Sequence, residues 1–145
     1  MASLLTPYLS FPGTAREALE FYRQVFGGEL TLSTFGEFGM ADTPDADKIM
    51  HGQLETTLGF TLMAADTPPG MEHTPPGDAI TVAITGDDVE DLRSYFNQLA
   101  DGGTVTVALE KQMWGDEYGA CVDRFGVPWM ANISDPQAEA ASPSH

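Results

Sequence analysis

Apolar and polar positions follow two periods along this chain, and the order of those periods repeats. Residues 4–11 (LLTPYLSF) alternate as a strand does, with Leu5, Leu9 and Phe11 on one side and Thr6, Tyr8 and Ser10 on the other. In the next segment, PGTAREALEFYRQVFGG, the apolar positions Ala18, Leu19, Tyr22, Val25 and Phe26 recur at helical spacing, and Gly27-Gly28 stop the helix. Thr14 and Glu17 stand at the spacing of a capping box. Three strand-like runs follow, at 29–35, 48–57 and 60–66.

The second half repeats this order. Residues 78–85 (DAITVAIT) read as a strand with Ile80, Val82 and Ile84 on one face and Thr81, Ala83 and Thr85 on the other. A helical stripe follows (Val89, Leu92, Phe96, Leu99), with Asp87 and Glu90 as a second capping box and Gly102-Gly103 as the stop. Strands are predicted at 104–114, 118–125 and 128–133. The two helices share wording, so that Leu19 pairs with Leu92, Tyr22 with Tyr95 and Phe26 with Leu99. The expectation is an α+β protein made of a βαβββ module written twice. Module one covers about residues 3–66, a PPG-rich linker 67–77, and module two about 78–133, all in a single domain 1–133. The polar tail, 134–145, is expected to be disordered.

Composition narrows the function. The 145 residues carry 22 acidic and 6 basic side chains, a formal charge of -16. Such a charge repels phosphate backbones and anionic lipid, so neither nucleic acid nor a membrane surface is an expected partner; it first of all keeps the protein soluble, and it would also favour the approach of a cationic ligand. A single cysteine, Cys121, rules out an intrachain disulfide and fits a reducing cytoplasm. The start, MASLLTPYLSF, lacks the charged and apolar regions of a secretory signal. No stretch holds the ~18 consecutive apolar residues of a spanning helix.

In the run 48–57, Met50, Gly52 and Leu54 form the apolar row and His51, Gln53 and Glu55 face the other way. His51 is either a polar handle for a ligand or a satisfied histidine, turned inward or lying at a dimer surface. Glu55 is expected in solvent beside the Leu58-Gly59 turn. Tyr8, Met63, Trp114, Tyr118 and Met130 are candidate pocket walls and hydroxyl handles, against a competing reading as ordinary core. Gly115-Asp116-Glu117 reads as a hairpin turn with solvated carboxylates, and Asp123 before Arg124-Phe125-Gly126 reads as turn chemistry. Cys121 reads as a buried, unreactive thiol. No nucleophilic triad can be assembled by spacing, and the FGGEL and DGGTV glycines end helices instead of cradling an anion.

The segments TPYLSFPGTAREALEFYRQVFGGEL, MHGQLETTLGFTLMAAD, DDVEDLRSYFNQLADGG and WGDEYGACVDRFGVPWMANI resemble the vicinal oxygen chelate superfamily, and within it the PhnB-like branch. The resemblance spans roughly residues 3–133. It implies sheets curled into a cup with helices outside, a site on the concave face, and a homodimer. In metal-using relatives four strands supply His and carboxylate ligands. The matching positions here are Thr6, Gln53, Thr81 and Met130, a poor divalent-metal set. The expectation is therefore a small organic molecule bound in the cup without a metal or other cofactor, by candidates Tyr8, His51, Gln53, Met63, Thr81, Trp114, Tyr118 and Met130. Beside a structural or regulatory dimer with a vestigial cup, two alternatives stay open. One is a divalent-metal (Zn, Ni, Mn or Fe) glyoxalase- or dioxygenase-type enzyme with His51 and Glu55 as ligands. The other is a sequestering protein of the bleomycin-resistance kind.

Overall fold

Each apolar stripe becomes a helix laid on its own four-stranded sheet. The computed structural model describes residues 5–39, 41–68, 70–73, 77 and 79–134. The chain divides into two compact units, Met1–Thr74 and Pro75–His145. The first unit runs β1 (Tyr8–Phe11), α1 (Ala15–Phe26), β2 (Glu29–Thr34), a 3-10 turn (Gly36–Phe38), β3 (Ile49–Glu55) and β4 (Thr61–Asp66). Its sheet order is β1-β4-β3-β2, with β1 and β4 parallel and the other neighbours antiparallel. The second unit repeats this with β5 (Val82–Gly86), α2 (Val89–Ala100), β6 (Thr104–Lys111), β7 (Glu117–Val122) and β8 (Pro128–Ile133), ordered β5-β8-β7-β6.

Helix α1 buries Ala15, Ala18, Leu19, Phe21, Tyr22, Val25 and Phe26, while α2 buries Leu92, Phe96 and Leu99. Tyr22 is fully buried but Tyr95 only partly, because Phe96 takes the inward position on α2. Two glycines let the helices sit close. A Cβ at Gly52 on β3 would collide with Leu19 Cδ1, and one at Gly119 on β7 would lie 3.0 Å from Phe96 Cζ.

Several expectations are corrected. The first strand of each unit starts later than its alternation suggests, at Tyr8 and at Val82, so Leu5 and Ile80 are exposed instead of joining a core row. Neither capping box forms: Thr14 and Asp88, the helix caps, make no side-chain capping bond. For α1 the carboxylate of Asp66, at the far end of β4, accepts from the Gly13 and Ala15 N–H groups in its place. In β3 the buried row is Ile49, Gly52 and Leu54, because a bulge displaces Met50 from the core row. Trp114 lies beyond the end of β6, and the chain leaves β7 at Val122, so Asp123 is in the turn. Leu4, Asp78 and the tail from residue 135 onward lie outside the described residues. Among the described residues no helix is long and apolar enough to cross a membrane.

Candidate functional site

Since α1 covers the face that carries Gly52 and Leu54, the opposite face of the first sheet displays the polar candidates. Strand register sets its layout. Tyr8 pairs with Met63, Met63 with Gln53, and Gln53 with Thr31, so these four side chains form one row across all four strands. His51 lies two residues along β3, opposite Ser33. The Tyr8 hydroxyl is 3.4 Å from His51 Nδ1, and the two rings tilt at 33° with centroids 5.8 Å apart. Gln53 Nε2 donates to Glu55 Oε1 at 3.4 Å, and Glu55 faces Glu29 directly across the strands. Tyr8 is 52% exposed, and His51, Gln53 and Met63 are half-buried. The sequence reading thus placed four candidates, Tyr8, His51, Gln53 and Met63, that register brings together. It missed Thr31 and Ser33, although the alternation of ELTLSTF carried the signal.

The helix-free face of the second sheet differs. Ala83, Met130, Ala120 and Val107 form one row; Thr85, Asn132, Tyr118 and Glu110 form the next. Met130 and Tyr118 therefore share this face. Thr81 is exposed and precedes β5, as Thr6 precedes β1. Trp114 sits in the β6–β7 hairpin, 61% exposed. The hairpin carboxylates are not merely solvated, which corrects the sequence reading. Asp116 Oδ2 accepts from Asn132 Nδ2 at 3.0 Å, and Glu117 takes a two-pronged pair of bonds from Arg93, both 2.8 Å. Asp123 is 3% exposed and keeps its turn role: Oδ1 accepts from the Phe125 and Val127 N–H groups, and Oδ2 accepts from Trp129 Nε1 at 2.8 Å. Cys121 is buried, and that burial, helped by the Asp123 charge, pushes its thiol up to about 11.

In metal-using proteins of such a fold the ligands are His and carboxylates, and the positions that resemblance matches to them here carry neither. Thr6, Gln53, Thr81 and Met130 offer hydroxyls, an amide and a thioether, a set without the imidazoles and carboxylates that hold Zn, Ni, Mn or Fe. His51 and Glu55 are four residues apart on one strand, about 13 Å along it at the usual rise. Their side chains turn to Tyr8 and Gln53 respectively. Among the described residues no three His, Cys, Asp or Glu side chains are grouped to hold a metal. His73 bonds Thr67 Oγ1 at 2.9 Å and lines a separate cavity of about 250 Å³ with Pro12, Asp45, Lys48 and Met71.

Paired βαβββ units with one helix per sheet and a mixed strand order define a glyoxalase-type α+β fold. The chain belongs to the glyoxalase/bleomycin resistance protein/dioxygenase superfamily, whose family model matches residues 5–131. It is similar to the protein PA1353 of Pseudomonas aeruginosa, with 34% identity, 92% of this chain and 99% of that one covered, and a TM-score of 0.79. The protein YjdN of Escherichia coli is 29% identical over 92% of this chain and 97% of its own length. A PhnB protein from Bacillus cereus shares the fold at 24% identity, with coverage of 91% and 100% and a TM-score of 0.68.

Proposed function

We propose that this chain binds a small organic molecule on the helix-free face of its first sheet, without the divalent metal used by other members of the superfamily. The observation that carries this reading is the row Tyr8–Met63–Gln53–Thr31 with His51 beside it. An aromatic ring and a thioether supply apolar contact, while an amide, hydroxyls and an imidazole supply directional hydrogen bonds; small-ligand sites have this make-up. The donor set at Thr6, Gln53, Thr81 and Met130 supports the metal-free part of the reading.

A sequestering role for a cationic ligand is favoured by a second observation. Glu29 and Glu55 face each other across β2 and β3, an arrangement that is unfavourable until a cation sits between or beside them. The formal charge of -16 draws such a ligand in. The working form is a homodimer in a reducing cytoplasm, by likeness to the family and by the single buried thiol.

The test is a thermal-shift and calorimetric screen of untagged protein against small organic cations and neutral aromatics, with and without a chelator. A stabilising ligand is expected whose effect survives the chelator. Replacing His51 or Gln53 by Ala should weaken it roughly fivefold to tenfold, the worth of one hydrogen bond. One tightly held metal per chain, with binding lost on chelation or in His51→Ala, overturns the proposal and favours a metal-dependent lyase, isomerase or dioxygenase.

A further inference from the structure

The carboxylate of Asp66 ties together three segments that are far apart in sequence. Asp66 ends β4 and is 2% exposed. Its Oδ1 accepts from the N–H groups of Gly13 at 3.0 Å and Ala15 at 2.9 Å, and its Oδ2 accepts from the N–H of Ile49 at 2.8 Å. Ile49 is where β3 changes face. Ser33 is opposite His51 and Thr34 is opposite Ile49, so Met50 is one residue too many on β3. Ile49, Gly52 and Leu54 are all buried despite their mismatched parity. Were the strand regular with Ile49 still in the core, His51, Gln53 and Glu55 would point under the helix as well.

We infer that Asp66 is a positioning residue for the candidate site: by holding the Ile49 N–H it fixes the bulge at Met50, and so keeps His51 and Gln53 on the helix-free face beside Tyr8. The inference rests on the reading of that face as the binding surface. The second unit supplies the contrast. Ile133 occupies the place of Asp66, three residues past Met130 as Asp66 is past Met63. There β7 pairs with β8 at consecutive residues from Glu117 to Val122 and keeps a regular alternation, and the irregularities fall on β6. Without the carboxylate, the equivalent strand runs straight.

The experiment reads the free protein. In Asp66→Asn one acceptor oxygen becomes an NH2 group, so either the Gly13–Ala15 pair or Ile49 meets a donor. Asp123→Asn is the matched control, since Asp123 is also buried and also accepts three N–H groups, in the other unit. Ring correlation spectra of His51 and its nuclear Overhauser contacts to Tyr8 are recorded in both. Displaced His51 ring signals and a lost Tyr8 contact are expected in Asp66→Asn, with neither change in the control. Unchanged signals in Asp66→Asn, or equal changes in both variants, overturn the inference. If Asp66→Asn does not fold, wild-type protein decides through the coupling between the Ile49 amide nitrogen and the Asp66 carboxyl carbon. A measurable coupling with a slowly exchanging amide supports the clamp, and its absence with fast exchange overturns it. No ligand enters these measurements, so a failed ligand screen removes the binding role of the face and leaves the Asp66 clamp standing, while failure of the clamp leaves the screen intact.

Discussion

The two units share a strand order and differ in what they bury and what they display. The turn after β3, Thr56–Phe60, and the turn after β7, Asp123–Val127, have the same backbone bonds: Thr56 N to Phe60 O and Asp123 N to Val127 O, both 2.9 Å. Each holds a glycine with positive φ at its fourth position, Gly59 and Gly126. The exit from the last strand also matches, with Thr67 N bonded to Phe11 O and Ser134 N to Gly86 O. What moved is the buried carboxylate. The first unit keeps it at the end of β4 as Asp66, where it clamps a bulge; the second keeps it in the turn as Asp123, where it anchors Trp129. The displayed faces diverge in parallel, polar and hydrogen-bonding in the first unit, mostly apolar along the Met130 row in the second. Duplicated backbone geometry tolerates a change in the side chain that anchors it, provided that buried N–H groups still find acceptors.

The two units should differ most at their turns. Asp123 collects three N–H groups, whereas Thr56 Oγ1 accepts only from Phe60 N and donates to Phe60 O. Asp123→Ala should therefore cost about 3 kcal/mol or more, and Thr56→Ala about 1 kcal/mol, by urea denaturation. Equal losses would mean that the carboxylate adds nothing to the shared turn.

The glycines under the helices come next. A Cβ at Gly119 meets the Leu109 backbone at 2.8 Å, and one at Gly52 meets chiefly the end of the Leu19 side chain. Gly119→Ala should cost about 2 to 3 kcal/mol and Gly52→Ala about 1 kcal/mol, read as shifts of the denaturation midpoint. A reversed order would mean that the buried Leu19 side chain yields less readily than the Leu109 backbone.

The last effect is the pH dependence of a thiol, which belongs to the second unit because Cys121 is the sole cysteine. Its thiol is raised from 9.0 to about 11 by burial first and by the Asp123 charge second. The unfolded chain loses this proton at lower pH than the folded one. The stability it contributes is complete below about pH 9 and is lost as pH rises towards about 11. Denaturation of wild type and Cys121→Ala at about pH 8 and about pH 10 checks the sign, since the loss should be smaller in the variant.

Much of the fold was legible in local patterns. Helical stripes, glycine stops and strand alternation located α1, α2 and most strands, and the repeated wording gave the duplication. The failures share a cause, which is that the deciding partner is distant in sequence. The Thr14–Glu17 box is locally plausible, yet Asp66 reaches Ala15 from 51 residues away. Met50 belongs to the apolar row by alternation, yet the Asp66–Ile49 bond accompanies a bulge that no period-2 pattern contains. Asp116 and Glu117 look like free turn carboxylates until Asn132 and Arg93 arrive from β8 and α2. Of the candidate site, alternation gave the facing of His51 and Gln53, and register gave what alternation cannot: which residues on other strands stand beside them.

The indole anchored by Asp123 has a practical consequence for spectroscopy. The chain has two tryptophans, and both lie in the second unit: Trp129, shielded and bonded to a carboxylate, and Trp114, open to solvent. Acrylamide should extinguish the emission of Trp114 and spare that of Trp129 in the native state. The residual blue emission then becomes an optical thermometer for one half of the chain only. Tracking it against the amide signals of the first half during a melt shows whether the two units come apart together or in turn.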